Sequence, residues 1–321
     1  MILNINFLAI MNSGHESSLS GRRDFLKKLS LGLGAAAFSS PVFANAPASK
    51  MFFKISLAEW SLHRSLRAGK LDNLDFPWYA KQKFGIDAVE YVNQFFADKA
   101  SDKEYLSELK TRAKDNGVKN LLIMIDNEGS LGHLDAAKRN QAVENHYKWV
   151  EAAEYLGCHS IRVNAAGQGT KEEVMNAVVE SLSKLAQFAK DYKINVLVEN
   201  HGGYSSDGEW LATTIGKVGM KNCGTLPDFG NFKIDRQAGL EYDKYKGVQE
   251  LMPYAKGVSA KCYDFEDGRE TTIDFEKMLQ IVKQAGYKGY VGIEYEGNRL
   301  SEDEGIIACK KLLMEVGGKL K

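Results

Sequence analysis

The chain has 321 residues, with 42 basic and 42 acidic side chains, 44% hydrophobic residues and 5 prolines. This balance excludes a disordered chain, which has few apolar residues and a large net charge, and no strict repeat indicates a fibrous protein. The 4 cysteines lie far apart in the sequence, which excludes a zinc ribbon and a disulfide framework. The composition therefore indicates a globular protein.

Residues 1–46 have the features of an export signal. Arg22-Arg23 precedes Phe25-Leu26-Lys27, and an apolar stretch of mostly small residues, Leu29 to Phe38, leads to the cleavage-type tripeptide Ala44-Asn45-Ala46. The twin arginines resemble a Tat signal, and the apolar stretch is too short to span a bilayer. We therefore expect a cleaved signal peptide and a periplasmic or otherwise exported protein. A Sec signal and an N-terminal anchor remain alternatives.

The rest of the chain is close to neutral. Residues 1–46 contain four basic and two acidic residues, which leaves 38 basic and 40 acidic residues and a net charge of about −2. Nucleic-acid binding depends on a basic patch, which neither the charge balance nor the charge pattern provides. No later apolar run reaches the length of a membrane span. We therefore expect no nucleic-acid partner and no membrane span.

Residues 51–321 alternate between short β-rich runs and amphipathic segments, and no linker interrupts them. The predicted strands are Lys54–Glu59, Ala88–Val92, Asn120–Asp126, Ser160–Asn164, Asn195–Asn200, Gly224–Asp228, Gly257–Lys261 and Tyr290–Tyr295. The predicted helices are Leu74–Lys83, Asp102–Asn116, Gln141–Leu156, Lys171–Tyr192, Glu209–Val218, Tyr242–Met252, Asp274–Ala285 and Glu302–Val316. Eight such units predict one α/β domain, a (β/α)8 TIM barrel. A doubly wound sheet is the alternative, but the glycine-rich turn that it needs after its first strand is missing.

Local signals mark the ends of several helices. A Ser/Thr-x-x-Glu pattern predicts reciprocal capping boxes at Ser101, Thr170, Ser206 and Ser301. Glycines predict left-handed helix ends at Gly117, Gly157 and Gly286.

Acidic residues dominate the predicted strand ends, where the active sites of TIM barrels lie. The polar residues at these ends are Glu59, Glu90, Asp126, Asn164, Glu199, Asn200, His201, Asp228, Lys261, Glu294 and Glu296. Carboxylates that converge in one barrel mouth repel one another unless a cation or a proton lies among them. The pattern therefore predicts either a divalent metal or shifted pKa values.

Four segments on strands five to eight carry a resemblance to a known family. They are Val198-Glu199-Asn200-His201, Leu226-Pro227-Asp228-Phe229, Val258-Ser259-Ala260-Lys261 and Gly292-Ile293-Glu294-Tyr295-Glu296-Gly297. The chain resembles the xylose-isomerase-like sugar phosphate isomerases and epimerases over essentially all of residues 51–321. This resemblance implies that Glu199, Asp228 and Glu294 hold one divalent metal, and that Glu199 and Glu294 are also the acid and base.

Two positions differ from the family pattern. Ser259 stands where the family has a metal-ligating histidine, and Asn231 stands where it has a histidine that contacts sugar hydroxyls. Three carboxylates still suit Mn²⁺ or Mg²⁺, with Zn²⁺ as an alternative, and His201 is a candidate nitrogen ligand. In a competing arrangement the ammonium of Lys261 takes the place of the metal. A degenerate site is the third alternative.

Further residues are predicted to contact a sugar. Trp60 and His63 follow strand one, where an aromatic plate and a hydrogen-bonding ring suit a sugar face, although packing explains them equally well. Arg162 and Asn164 alternate with apolar residues, so both should point into the barrel. We expect Asn164 to contact substrate and Arg162 to pair with an interior acid. The other predicted substrate-binding residues are His201, Asn231 and Glu296, and Cys262 is expected near the site.

These residues together predict an exported sugar isomerase or epimerase. Removal of a proton next to the carbonyl of a sugar or keto-sugar needs a base, and a cationic group must stabilise the enediolate that forms. The predicted catalytic residues are Glu199, Glu294 and Lys261. The loops after strands seven and eight lack a glycine-rich phosphate cradle, which favours an unphosphorylated carbohydrate. A lyase or glycoside-cleaving enzyme that uses the same enolisation and a non-catalytic carbohydrate-binding protein are alternatives. The sequence leaves open whether the protein forms a homo-oligomer.

Overall fold

The computed structural model describes residues 51–320, and its centre is a parallel eight-stranded sheet. The strands are β1 Lys54–Ala58, β2 Ala88–Val92, β3 Lys119–Met124, β4 Ser160–Asn164, β5 Asn195–Glu199, β6 Cys223–Leu226, β7 Val258–Cys262 and β8 Tyr290–Tyr295. Strand β8 pairs with β1 in parallel, and bridges from Thr225 to Ala255 and from Asp228 to Ser259 join β6 to β7. These bridges close the sheet, and the predicted TIM barrel is confirmed.

One long helix follows each strand and packs against the outside of the sheet. The helices are α1 Phe76–Phe84, α2 Lys103–Asp115, α3 Ala136–Leu156, α4 Lys171–Asp191, α5 Gly208–Val218, α6 Lys244–Leu251, α7 Phe275–Gln284 and α8 Glu302–Lys319. Their apolar faces and the outward-facing strand residues form the main core, in which Trp149 is fully buried. Helix α3 begins five residues earlier than predicted, because the carboxylate of Asp135 accepts hydrogen bonds from the amides of Ala137 and Lys138.

Two of the four predicted capping boxes are confirmed. Thr170 and Ser301 each form the reciprocal pair with the glutamate three residues later. The boxes at Ser101 and Ser206 are wrong, because the following residue, Asp102 or Asp207, takes the N-cap position and accepts the backbone hydrogen bond. A carboxylate near a helix N-terminus also interacts favourably with the helix dipole. The predicted left-handed ends have φ values of 64° at Gly117, 79° at Gly157 and 73° at Gly286.

Two short antiparallel hairpins were missed in the sequence. Lys233–Asp235 pairs with Leu240–Glu241 after β6, and Phe265–Glu266 pairs with Arg269–Glu270 after β7. Strands of two or three residues are too short to show the hydrophobic alternation by which strands are recognised. Both hairpins follow the carboxyl ends of barrel strands, so they lie at the end of the barrel that holds the acidic residues.

The inside of the barrel combines an apolar layer with a buried acid. Ala58, Val92, Leu122, Met124, Leu197 and Leu226 form the apolar cluster. Below the strand ends, Glu90 accepts a hydrogen bond of 2.6 Å from the hydroxyl of Ser56. A Cβ atom on Gly292 would lie 2.6 Å from the carboxylate of Glu90, so glycine is needed on β8 to make room for this side chain.

The predicted signal peptide, residues 1–46, lies outside the described residues. Within residues 51–320, no helix is both long and apolar enough to cross a membrane.

Ser301 caps its helix and Ser101 does not, and this difference can be tested by mutation. We expect Ser301→Ala to lower the free energy of unfolding by about 1 kcal/mol, because it removes a cap from α8. Ser101→Ala should change this energy by less than about 0.5 kcal/mol, because Asp102 caps α2. Urea unfolding of both variants measures the difference. Equal losses for the two serines would contradict the assignment.

Candidate active site

Three buried carboxylates meet at the carboxyl end of the barrel. Glu199 is the last residue of β5, Asp228 follows β6 by two residues, and Glu294 lies in β8. One oxygen atom of each carboxylate lies within 4.8 Å of the others, and all three side chains are buried. Parallel strands place their carboxyl ends together, and this brings residues that are far apart in sequence to one point. The three predicted metal ligands are therefore brought together.

The ammonium of Lys261 contacts the same cluster from β7. Its Nζ atom lies 2.6 Å from Oε1 of Glu294, 3.1 Å from Oε2 of Glu296 and 4.0 Å from Oδ2 of Asp228. Burial alone would lower the pKa of Lys261, but the surrounding carboxylates outweigh burial and hold this pKa well above its usual value. Lys261 is therefore a fixed positive charge within the acidic cluster.

Ser259 occupies the position where the sequence suggested a missing histidine. Its Oγ atom lies 2.6 Å from Oδ2 of Asp228 and 3.0 Å from Oε2 of Glu294. A serine hydroxyl has one proton, so it donates to only one of these carboxylates at a time. Ser259 links two of the three acids but brings no imidazole to them.

Arg162 supports the opposite side of the cluster. Its Nε atom lies 2.8 Å from Oε2 of Glu199, and its Nη1 atom lies 2.8 Å from Oδ1 of Asp126. The predicted pairing of Arg162 with an interior acid is confirmed. Asn164, predicted to contact substrate, donates a hydrogen bond of 2.7 Å to Oδ1 of Asp126. Its amide nitrogen is thus already engaged at the end of β4.

Negative charge exceeds positive charge in this network. Five carboxyl groups surround two cationic side chains, Arg162 and Lys261. The carboxyl groups belong to Asp126, Glu199, Asp228, Glu294 and Glu296. Burial raises the pKa of Glu199 to about 7, although Arg162 opposes the shift. Burial also raises the pKa of Asp228 to about 7, against the effect of Lys261. The cluster therefore has the electrostatic character of a site that takes up protons or a further cation.

Trp60 and His63 form an aromatic pair beside Glu296. The indole Nε1 of Trp60 donates a hydrogen bond of 2.7 Å to Oε1 of Glu296. The ring of His63 stacks on Trp60 with 5.0 Å between ring centroids, and its Nδ1 donates to the carbonyl oxygen of Trp60. Burial alone would raise the pKa of Glu296, but Lys261 and Trp60 outweigh it and hold this pKa below its usual value. Glu296 therefore connects the aromatic pair to Lys261.

Two asparagines organise the loops after β5 and β6. The amide of Asn231 donates a hydrogen bond of 3.0 Å to Oε1 of Glu199, so the predicted substrate-binding residue contacts the acid cluster. Asn200, to which the sequence assigned no role, accepts from the backbone amide of Asp228 and donates to its carbonyl oxygen. These two bonds fix the backbone that carries Asp228. The ring of His201 is exposed and is not part of the group of ligand-type side chains found among residues 51–320.

Three other predictions have clear outcomes. Glu59 and Glu90 lie apart from the cluster, where Glu59 accepts from the amide of Val92 and Glu90 accepts from Ser56. The Sγ atom of Cys262 lies 3.9 Å from the backbone carbonyl oxygen of Glu294, but its side chain does not face the site. Cys262 packs in the core outside the barrel, because neighbouring residues on a strand point to opposite faces and Lys261 points inward.

A cavity of about 520 Å³ opens above the cluster. Asn231 and Glu296, which contact Glu199 and Lys261, form part of its lining together with Tyr263. The outer part is lined by residues of the Lys233–Glu241 hairpin. This volume lies within the range of about 300–1,000 Å³ that small-molecule sites occupy.

Comparison with known proteins identifies the family. Residues 79–312 match the family model described as xylose isomerase-like TIM barrel. The chain belongs to this family. No curated protein is similar enough to match the chain.

Solved structures of similar fold include several epimerases. A D-tagatose 3-epimerase-like protein is 19% identical, with a TM-score of 0.61 and coverage of 82% of this chain and 97% of that one. The 3-keto-D-glucoside 4-epimerase YcjR from E. coli is 17% identical, with a TM-score of 0.61 and coverage of 83% and 99%. The IolI protein, whose structure holds a zinc atom, is 18% identical, with a TM-score of 0.61 and coverage of 83% and 99%. At these identities the similarity establishes the shared fold.

The buried Glu90 generates a prediction of pH dependence. Burial raises its pKa from 4.5 to about 7, so the folded state binds its proton more tightly than the unfolded state does. The stability of the wild type, relative to Glu90→Gln, should therefore fall by about 3 kcal/mol as the pH rises from 4.5 to 7. Urea unfolding across this range measures the difference.

Glu144→Gln is the matched control, because Glu144 is exposed on α3. The difference in the free energy of unfolding between Glu144→Gln and the wild type should be the same at every pH. If the difference for Glu90→Gln is also the same at every pH, Glu90 does not carry the shifted pKa.

Proposed function

We propose that this protein is a sugar isomerase or epimerase that transfers a proton at a carbon next to the carbonyl group of a sugar or keto-sugar. The observation that supports this proposal is the meeting of Glu199 and Glu294 at one point from different sides of the barrel. Each carboxylate has its own cationic neighbour, Arg162 at 2.8 Å and Lys261 at 2.6 Å. Two independently held carboxyl groups suit a reaction in which a proton is removed and then returned.

The donor set fits one divalent metal. Glu199, Asp228 and Glu294 would hold it through carboxylate oxygens, which lie within 4.8 Å of one another. An all-oxygen set favours Mn²⁺ or Mg²⁺ over Zn²⁺, since Zn²⁺ prefers nitrogen and sulfur ligands and Ser259 provides no imidazole. When bound, such a metal would polarise the substrate carbonyl and stabilise the enediolate.

Glu199 is suited to remove the proton. A general base works best when its pKa lies near the working pH, and burial raises the pKa of Glu199 above its usual value. Asn231 donates a hydrogen bond to Oε1 of this carboxylate, and the guanidinium of Arg162 forms an ion pair with Oε2. The base is therefore oriented before the substrate arrives.

Glu294 is suited to return the proton, and Lys261 to stabilise the charge. Lys261 donates a hydrogen bond of 2.6 Å to Oε1 of Glu294, and the hydroxyl of Ser259 lies 3.0 Å from Oε2. Return of the proton to the opposite face of the same carbon gives an epimer, and return to the neighbouring carbon gives an isomer. The ammonium of Lys261 provides a fixed positive charge beside the enediolate. The epimerases of similar fold support the same reaction class.

Proton exchange with solvent tests this proposal. We expect the wild type to incorporate deuterium from D₂O next to the carbonyl of a ketose, and NMR measures the rate. Glu199→Gln and Glu294→Gln should each lower this rate at least about 100-fold, because each removes a proton-transfer group. Glu144→Gln should exchange at the wild-type rate. Circular dichroism checks that all variants are folded.

The products separate the proposal from its alternatives. An isomer or epimer of unchanged mass supports it, whereas release of an aglycone from a keto-glycoside would identify a lyase. Binding of sugars without any deuterium exchange would identify a carbohydrate-binding protein. Normal exchange in both glutamine variants would contradict the roles of Glu199 and Glu294.

We also propose that the protein is exported through the signal in residues 1–46. The twin arginines Arg22-Arg23 and the short apolar stretch that follows support this location. Replacement of both arginines by lysine should keep the protein in the cytoplasm with its signal attached. Cell fractionation with immunoblotting measures the distribution. Unchanged export of the double-lysine variant would indicate the Sec route instead.

A further inference from the structure

The cavity above the acidic cluster has a cationic outer wall. Lys233 and Arg236 belong to the hairpin after β6, and Lys244 is the first residue of α6. All three line the cavity, together with Asn231 and Glu296 at its inner end. The chain as a whole has equal numbers of basic and acidic residues, so three cations at one end of one cavity are a local concentration.

These cations are only partly neutralised by the protein. The Nζ of Lys233 lies 3.4 Å from the carboxylate of Glu241, and both side chains are exposed. The Nζ of Lys244 donates to the carbonyl oxygen of Thr272, a neutral group. The guanidinium of Arg236 has no hydrogen bond or ion pair with any residue from 51 to 320. Among the residues that line this end of the cavity, Glu241 has the only carboxylate, against the three cations of Lys233, Arg236 and Lys244.

The opposite charges at the two ends of the cavity orient a substrate. At the inner end, the carboxylate of Glu296 lines the cavity and repels an anionic group. At the outer end, Arg236 offers a planar fork of donors that matches a carboxylate. A molecule with an anionic group at one end therefore enters with its neutral end toward the acidic cluster.

We propose that the substrate is a keto-sugar acid whose carboxylate binds Arg236, Lys233 and Lys244, at the end of the sugar remote from the reacting carbon. This inference rests on the proposed function for the identity of the reacting end. It assigns a role in specificity to the hairpin between residues 233 and 241, which the sequence did not reveal.

The local backbone favours a carboxylate over a phosphate. Phosphate sites commonly use free backbone amides at a helix N-terminus or in a glycine-rich loop. The N-terminal amides of α6 are already engaged, because the carboxylate of Asp243 accepts hydrogen bonds from the amides of Tyr245 and Lys246. Side-chain cations therefore provide the recognition at this wall.

Matched ketoses test the inference. One series consists of D-fructose, its 6-carboxylate D-fructuronate and its 6-phosphate, and the other of D-tagatose, its 6-carboxylate D-tagaturonate and its 6-phosphate. Within each series the compounds differ only at C6, the carbon remote from the carbonyl. We expect one 6-carboxylate to bind at least about tenfold more tightly than its neutral parent by titration calorimetry, because a charge-assisted hydrogen bond contributes that much. Arg236→Gln should remove most of this preference, and raised salt should weaken it.

Lys288→Gln is the control, because Lys288 is exposed just before β8 and does not line the cavity. It should keep the full preference for the carboxylate. Equal affinity for the neutral sugars, a preference for the 6-phosphates, or a preference that survives Arg236→Gln would each overturn the inference.

The two proposals fail in different ways. Binding of a 6-carboxylate that depends on Arg236 but leads to no deuterium exchange would support the cationic wall and contradict the isomerase function. Equal exchange of neutral and carboxylated ketoses would support the isomerase function and overturn the role of the wall.

Discussion

The excess of negative charge at one end of a closed barrel is the constraint on which the site depends. Five carboxyl groups share two cationic partners, Arg162 and Lys261. Buried carboxylates that lack a partner are costly, so some of them must hold protons or a further cation. Burial raises the pKa values of Glu199 and Asp228 toward neutrality, and the neighbouring carboxylates add to this effect, whereas Arg162 and Lys261 oppose it. A buried site whose carboxyl groups bind and release protons near neutral pH is suited to proton transfer.

The barrel makes this arrangement possible because its strands hold the side chains rigidly. Arg162 and Lys261 lie on β4 and β7, so the two positive charges approach the carboxylates from different directions. Each therefore stabilises a different acid, and Glu199 and Glu294 are held apart as separate groups. Asn200 fixes the backbone of Asp228 through two hydrogen bonds. The result is a cluster whose geometry is set before any ligand binds.

Much of the fold could be predicted because barrel strands and their helices carry strong periodic signals. The eight strands were predicted within two residues of their observed ends, and the convergence of Glu199, Asp228 and Glu294 follows from parallel strand direction. Helix caps are harder to predict from sequence, because adjacent polar residues such as Ser101 and Asp102 compete for the same N-cap position. The hairpin at residues 233–241 was missed because its strands are short and exposed. The contacts of Asn164 and Ser259 depend on side-chain conformations that sequence patterns do not specify.

X-ray diffraction from crystals equilibrated with Mn²⁺ tests the central claim most directly, because the anomalous signal of manganese marks its position. The account predicts one strong anomalous peak bounded by carboxylate oxygens of Glu199, Asp228 and Glu294, with metal–oxygen distances of roughly 2.0–2.3 Å. The peak should disappear in Asp228→Asn crystals prepared in the same way. If the wild type shows no peak there, and the side chains of Arg162 and Lys261 remain the only cations beside these acids, the metal-assisted account is contradicted.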